Sequence, residues 1–272
     1  MGNLLQLAFA FVRRDFHIET SYKFNFALQL TAGFFVVALF YFLSLLMDSE
    51  ASRKLIQRFH SDYFSFVLIG VAATGFLQAG LSGFVDRLRT GMTEGSLEMT
   101  FSCPVRPIWI LLLPCIWAFF FEALKAFIVV AMGVAVFGAN LSHANFLWCA
   151  VVVLFTITSY SVFGLLSASI IMVVKRGDPI NVAFTAASSL IAGAYFPVEL
   201  LPSWLGGVAK ILPMTYAYDG LRKTLLAGGG LPEIGQDLAV LAGFSLVGLP
   251  LAIAAAHYAI GRAKRDGTLG VF

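Results

Sequence analysis

Two charges stand inside an otherwise apolar run, Glu122 and Lys125. Their i, i+3 spacing puts them on one helical face, where a carboxylate and an ammonium can pair. Charges at membrane depth are costly and turn toward a protein interior or a wet cavity. The pair reads either as a gate or coupling site or as a self-neutralising structural pair, and the residues leave both open. A second charged set, Glu199, Lys210, Asp219, Arg222 and Lys223, lies in Gly193–Gly230, GAYFPVELLPSWLGGVAKILPMTYAYDGLRKTLLAGGG. Pro197, Pro202 and Pro213 break helical continuity there, and Trp204, Tyr216 and Tyr218 suit a membrane–water boundary. Reactive constellations are missing from the pattern. His17, His60, His143 and His257 are isolated, and Cys103, Cys115 and Cys149 lack metal-ligand spacing. No phosphate-cradling G-x-x-x-x-G-K-[ST] loop occurs. The expectation is a chain with no catalytic residue, metal or cofactor of its own.

Composition names the solvent in which these residues work. The 272 residues are 59% hydrophobic and only 12% charged, where a soluble chain carries about 25%. Mean hydropathy is +0.87. An integral membrane protein is implied. The net charge of +3 is scattered between apolar runs, which gives no reason to expect nucleic acid. Polar gaps are all shorter than about 45 residues, too short for a further domain, which needs about 50.

The elements that must position the charges are all helical. Residues 1–22 hold an interfacial helix, with Leu4, Leu5, Ala8, Phe11 and Val12 on one face and Gln6, Arg13 and His17 opposite. Asp15 falls near the apolar arc, so loosening is expected there. Arg13 and Arg14 follow the apolar part, unlike a cleaved signal peptide. Six spans follow: Phe24–Met47, Tyr63–Val85, Ile108–Gly138, Phe146–Val174, Ile180–Phe196 and Leu238–Ile260. Pro114 is expected to kink the third. Asp86–Pro107 is a polar connection. The fifth span is barely long enough to cross, so residues 197–230 are expected to re-enter the membrane as two short helices, Pro202–Ile211 and Thr215–Leu226. Irregular backbone at that depth must be covered by protein or water. Gly228–Gly230 reads as a flexible connector.

Charge bias orients the bundle. The N-terminal segment, the second-to-third and fourth-to-fifth connections and the tail hold eleven Lys and Arg, against six in the opposite connections. Both termini are expected in the cytoplasm. The re-entrant element then lies outside, with Phe196, Pro197, Pro202, Trp204, Pro213, Tyr216 and Tyr218 as an extracellular gate.

Two stretches carry a family resemblance. EGSLEMTFSCPV, Glu94 to Val105, resembles a loop motif of ABC-2 type transporter permeases: an acidic residue, GTLE, then a small residue, Pro and Val. Gly95, Leu97, Glu98, Pro104 and Val105 match. Ser96 replaces Thr, Thr100 stands where Leu is frequent, and Cys103 where Ser or Thr is frequent. FPVELLP…LPMTYAYDGLRKTLLAG resembles the signature near the C-terminus of the same permeases. The resemblance implies the six-helix membrane subunit of an ATP-driven exporter, a homodimer with two separate ABC ATPase subunits. ATP and Mg would sit on those partners. Glu94, Gly95, Leu97, Glu98 and Pro104 would form the cytoplasmic loop that docks on the ATPase. The implied cargo is a lipid, glycolipid, polysaccharide or hydrophobic drug, exported from the bacterial inner membrane with membrane lipid as neighbour. An ion-coupled secondary transporter using Glu122 and Lys125 is the alternative, although such folds show internal repeats and none is visible. A membrane-embedded enzyme is disfavoured by the missing constellation.

Overall fold

The computed structural model describes residues 4–46, 61–93, 107–174, 185 and 188–265. Among them there is helix and no strand. The elements are α1 (Leu4–Ser21), α2 (Lys23–Leu46), α3 (Tyr63–Thr93), α4 (Pro107–Phe137), α5 (Phe146–Val174), a 3-10 turn (Val198–Leu200), α6 (Ser203–Ala209), α7 (Pro213–Leu225) and α8 (Leu231–Arg265). Five of these, α2, α3, α4, α5 and α8, are long and apolar enough to cross a membrane.

α3 is the central post. Its Phe66, Val67, Ile69, Leu77, Phe84 and Leu88 are all buried, while α4 and α5 pack along two of its sides. α5 also packs along α8, and hydroxyls seal that seam. Ser159 donates to the Leu241 carbonyl at 3.1 Å and lies 3.0 Å from the Ser245 hydroxyl. Small residues set the α3–α5 crossing. A Cβ on Gly164 would stand 1.8 Å from the Gly80 carbonyl oxygen, and one on Gly80 would stand 2.6 Å from the Tyr160 Cβ. The backbones therefore touch where they cross, a contact that only glycine permits.

Several expected boundaries shift. α3 continues to Thr93, so the start of the expected Asp86–Pro107 loop is helical. Leu88 explains it, because its side chain is buried in the core and holds the extra turns in place. α1 does not loosen at Asp15. That side chain is buried, and Arg14 donates to its carboxylate at 2.9 Å, so the helix continues with its charge paired. α4 runs unbroken through position 114. Of the expected span Ile180–Phe196, residues 185 and 188–191 are helical and most of the rest lies outside the described residues. Its end comes earlier than expected, because Gly193 takes φ +87 and Ala194 donates back to the Ser189 carbonyl at 3.1 Å. This is a left-handed helix cap, a geometry that glycine adopts without steric cost.

The glycine run is a pinned turn, not a loose connector. Gly229 donates to the Lys223 carbonyl at 2.8 Å, and Gly230 donates to the Glu233 carboxylate at 2.8 Å. With that cap and Pro232 in its first turn, α8 starts at Leu231 instead of the expected Leu238.

Candidate functional site

The expected gate segment folds into α6 and α7, within about two residues of the two short helices read from the sequence. Pro213 occupies the first turn of α7, where its missing N–H costs nothing. Thr215 donates to the Ala209 carbonyl at 2.7 Å, and the Tyr216 hydroxyl donates to the Lys210 carbonyl at 2.9 Å, tying the two helices together. Lys223 pairs with the nearly buried Asp237 at 2.7 Å, tying α7 to α8.

The aromatics do not act as one belt. Trp204 is 70% exposed, and Phe196 and Tyr216 are half-buried. Pro197 and Pro213 are buried, whereas Pro202 is exposed. Tyr218, expected at the interface, is fully buried in the core. Helix geometry accounts for the correction: Tyr218 shares the inward stripe of α7 with Met214, Leu221 and Leu225. Burial raises the pKa of its hydroxyl above the ordinary tyrosine value, while Arg222 pulls in the other direction.

The largest fully buried side chain of the described residues is Arg222. Its Nη1 donates to the Gly193 carbonyl at 2.8 Å and its Nη2 to the Ala194 carbonyl at 2.7 Å. Its Nε donates to the Phe66 carbonyl at 3.2 Å. The guanidinium lies 3.5 Å from the centroid of the Phe66 ring, close enough for a cation–π contact. The left-handed cap at Gly193 exposes the two carbonyls that the fork receives. Gly70 leaves room for the arrangement, since a Cβ there would stand 1.9 Å from the Ala194 oxygen. Tyr63 adds a bond to the Tyr195 carbonyl at 3.1 Å, and Phe40 of α2 stacks on Tyr195 at 5.3 Å. Residues 193–195 are thus clasped by α2, α3 and α7. Sequence reading placed Arg222 only among charges that need a wet or paired setting. The available signal was the pairing of an arginine with a glycine-terminated helix about 30 residues upstream, and it is a weak one.

Glu122 and Lys125 meet as the spacing predicts, in an ion pair on α4. Lys125 also donates to the Gln29 side chain of α2 at 3.2 Å. Glu122 faces α3, where a Cβ on Gly75 would stand 2.5 Å from its carboxylate oxygen. Three helices therefore enclose the pair. The expected docking residues Glu94, Gly95, Leu97, Glu98 and Pro104 lie outside the described residues.

A bundle of helices long and apolar enough to cross a membrane, with an ion pair enclosed among them, describes a polytopic integral membrane protein. The ABC-2 type transporter family profile matches residues 6–226, and the chain belongs to that family. Compared with curated protein sequences, the chain matches none. The match reaches from α1 through the Arg222 clasp to the end of α7, so both belong to the family's region of the chain.

Proposed function

We propose that this chain is the permease subunit of an ATP-driven exporter. It works as a homodimer with two separate ATPase subunits in the bacterial inner membrane, with both termini in the cytoplasm. The cargo is a lipid, a glycolipid or polysaccharide, or a hydrophobic drug-like molecule, and ATP with Mg is held by the partner. The family match over residues 6–226 is the observation that carries this reading. The fold supplies a route for the force. Residues 94–106 join α3 to α4, and these helices pack along each other. α1 packs on α4 as well, with Phe16 edge-on to Trp117 at 5.8 Å. A push on the connector would reach both helices as a rigid-body displacement.

The test is a Leu97→Ala, Glu98→Ala double variant, reconstituted with its ATPase. Membrane insertion should be unchanged, while transport falls at least about tenfold and ATPase activity no longer responds to cargo. Transport at the native rate would sink the docking role.

In this reading α6 and α7 close the outer end of the path. Trp204 and Val208 are exposed one turn apart on α6, with Leu200 and Ile211 exposed on either side. That apolar edge suits contact with the same edge of a second copy across the two-fold axis. Single cysteines between Gly193 and Leu226, in a background lacking Cys103, Cys115 and Cys149, should show two faces to an impermeant thiol reagent added outside. Exposed positions such as Glu199, Ser203 and Lys210 react, whereas buried positions such as Ala209, Ala217 and Leu221 are protected, and so are Trp204→Cys and Val208→Cys, by the second copy. Uniform reactivity along the stretch would make it a plain surface loop, and labelling from the cytoplasm alone would invert the topology.

A further inference from the structure

α4 and α5 both pack on α3 without closing over it, and a deep groove remains between them. Its larger chamber has a volume of about 750 Å³. The floor is α3, chiefly Ala72, Ala73 and Phe76, and the α4 wall runs from Ala123 to Val134. A second chamber of about 400 Å³ continues past Ala123, which lines both. We propose that this groove is a binding site for the acyl chain of a bilayer lipid, with the lipid's polar part at the Asn140–Ser142 turn.

Four observations carry the assignment. First, α3, α4 and α5 are long and apolar enough to cross a membrane, and the exposed rim of the groove, Phe127, Val134 and Phe146, is apolar as a lipid-facing surface is. Secondly, water cannot fill it. A buried water needs two to four polar partners, and the only polar residues along the larger chamber are Asn140, Ser142 and the Cys149 thiol. Thirdly, the dimensions fit a chain. Ala123 to Val134 is about 16 Å of helix at about 1.5 Å per residue, the depth of one leaflet, half of the roughly 30 Å hydrocarbon core. Fourthly, the polarity is graded like a lipid. Asn140 and Ser142 stand together at the α4–α5 turn, and the rest of the larger chamber is apolar apart from Cys149, while in the second chamber the Ser161 hydroxyl is spent on the Ile157 carbonyl. The Ser142 side chain is exposed at that end.

A second copy of the chain fits the groove poorly. Phe127 on the α4 wall is 68% exposed and Phe146 on the α5 wall is 70% exposed. A partner helix is about 10 Å across and would rest on these rings, leaving the alanine floor uncovered. A flexible chain one methylene wide reaches the floor and gains dispersion contacts along it.

The test uses the full-length protein in vesicles of phosphatidylglycerol and phosphatidylethanolamine. A trace of phospholipid carries a diazirine either near the ester or near the chain's methyl end. The ester-proximal probe should label the peptide containing Leu141 and Phe146. The methyl-end probe should label residues near Ala123 and Phe76. Ala126→Trp, which fills the groove, should cut both labels by about tenfold, whereas Leu246→Trp on the exposed face of α8 should leave them unchanged. The smaller Ala126→Leu, read together with thermal stability, gives a graded loss should the tryptophan variant misfold. Three results would overturn the proposal: equal labelling in the filled variants, labelling spread evenly over α2 and α8, or spontaneous disulfide formation between Ala126→Cys in two copies.

Discussion

Arg222→Met is expected to unfold at a markedly lower temperature than the native protein in detergent micelles, with a loss of about 2–5 kcal/mol. The physical reason lies in the two carbonyls of the Gly193 cap. Gly193 and Ala194 oxygens accept from the guanidinium at 2.8 and 2.7 Å. Remove the fork and both stay buried without that donor, each costing roughly 1–3 kcal/mol. The cation–π contact with Phe66 disappears at the same time. Arg222→Lys should recover only part of the loss, because a single nitrogen cannot reach three carbonyls in the planar pattern of the native side chain. A native midpoint for Arg222→Met would show that the clasp contributes nothing. Full recovery by lysine would mean that charge alone matters.

The second large effect is expected from dividing the Glu122–Lys125 pair. Glu122→Gln or Lys125→Met alone should cost about 3 kcal/mol, the low end for breaking a buried pair. The low end applies because 18% and 24% of the two side chains remain exposed. Replacing both residues at once should cost less than either single change, since the costly state is one unpaired charge facing Gln29 and the α3 backbone. Thermal midpoint and transport rate should move together. Single variants that behave like the native protein would mean the pair lies in water. A double variant that folds normally but transports nothing would make the pair a coupling site, as the secondary-transporter alternative requires.

Much of this architecture was legible because membrane helices write their limits in hydropathy. Phe146–Val174 matches residue for residue, and α2 and α4 lie within one residue of expectation. Where side chains carry mixed signals, the reading stopped short. Asp86, Arg87 and Arg89 look like a loop, yet Leu88 between them is buried and keeps α3 helical. Glycine gave an ambiguous signal at residues 228–230. Such a run allows flexibility, but neighbours supply partners that remove it. In the candidate site, the Glu122–Lys125 pairing followed from local spacing. The Arg222 clasp did not, because its acceptors lie 28, 29 and 156 positions away and no local pattern encodes that separation. Tyr218 was misplaced for a related reason. An amphipathic ring suits an interface by type, but its position on the inward stripe of α7 decides its burial.

The clasp also sets an order of events during synthesis. Phe66 leaves the ribosome 156 residues before Arg222. At about 5–20 residues per second, α3 waits roughly ten to thirty seconds for the side chain that will cover it. Gly193 and Ala194 wait only a few seconds, about the time needed to add the 28 or 29 residues that separate them from Arg222. The α3 side of the guanidinium's cradle is thus made well before the α7 side that fills it. A chain halted between residues 195 and 221 has α1 to α5 and the Gly193 cap but not the arginine that joins them.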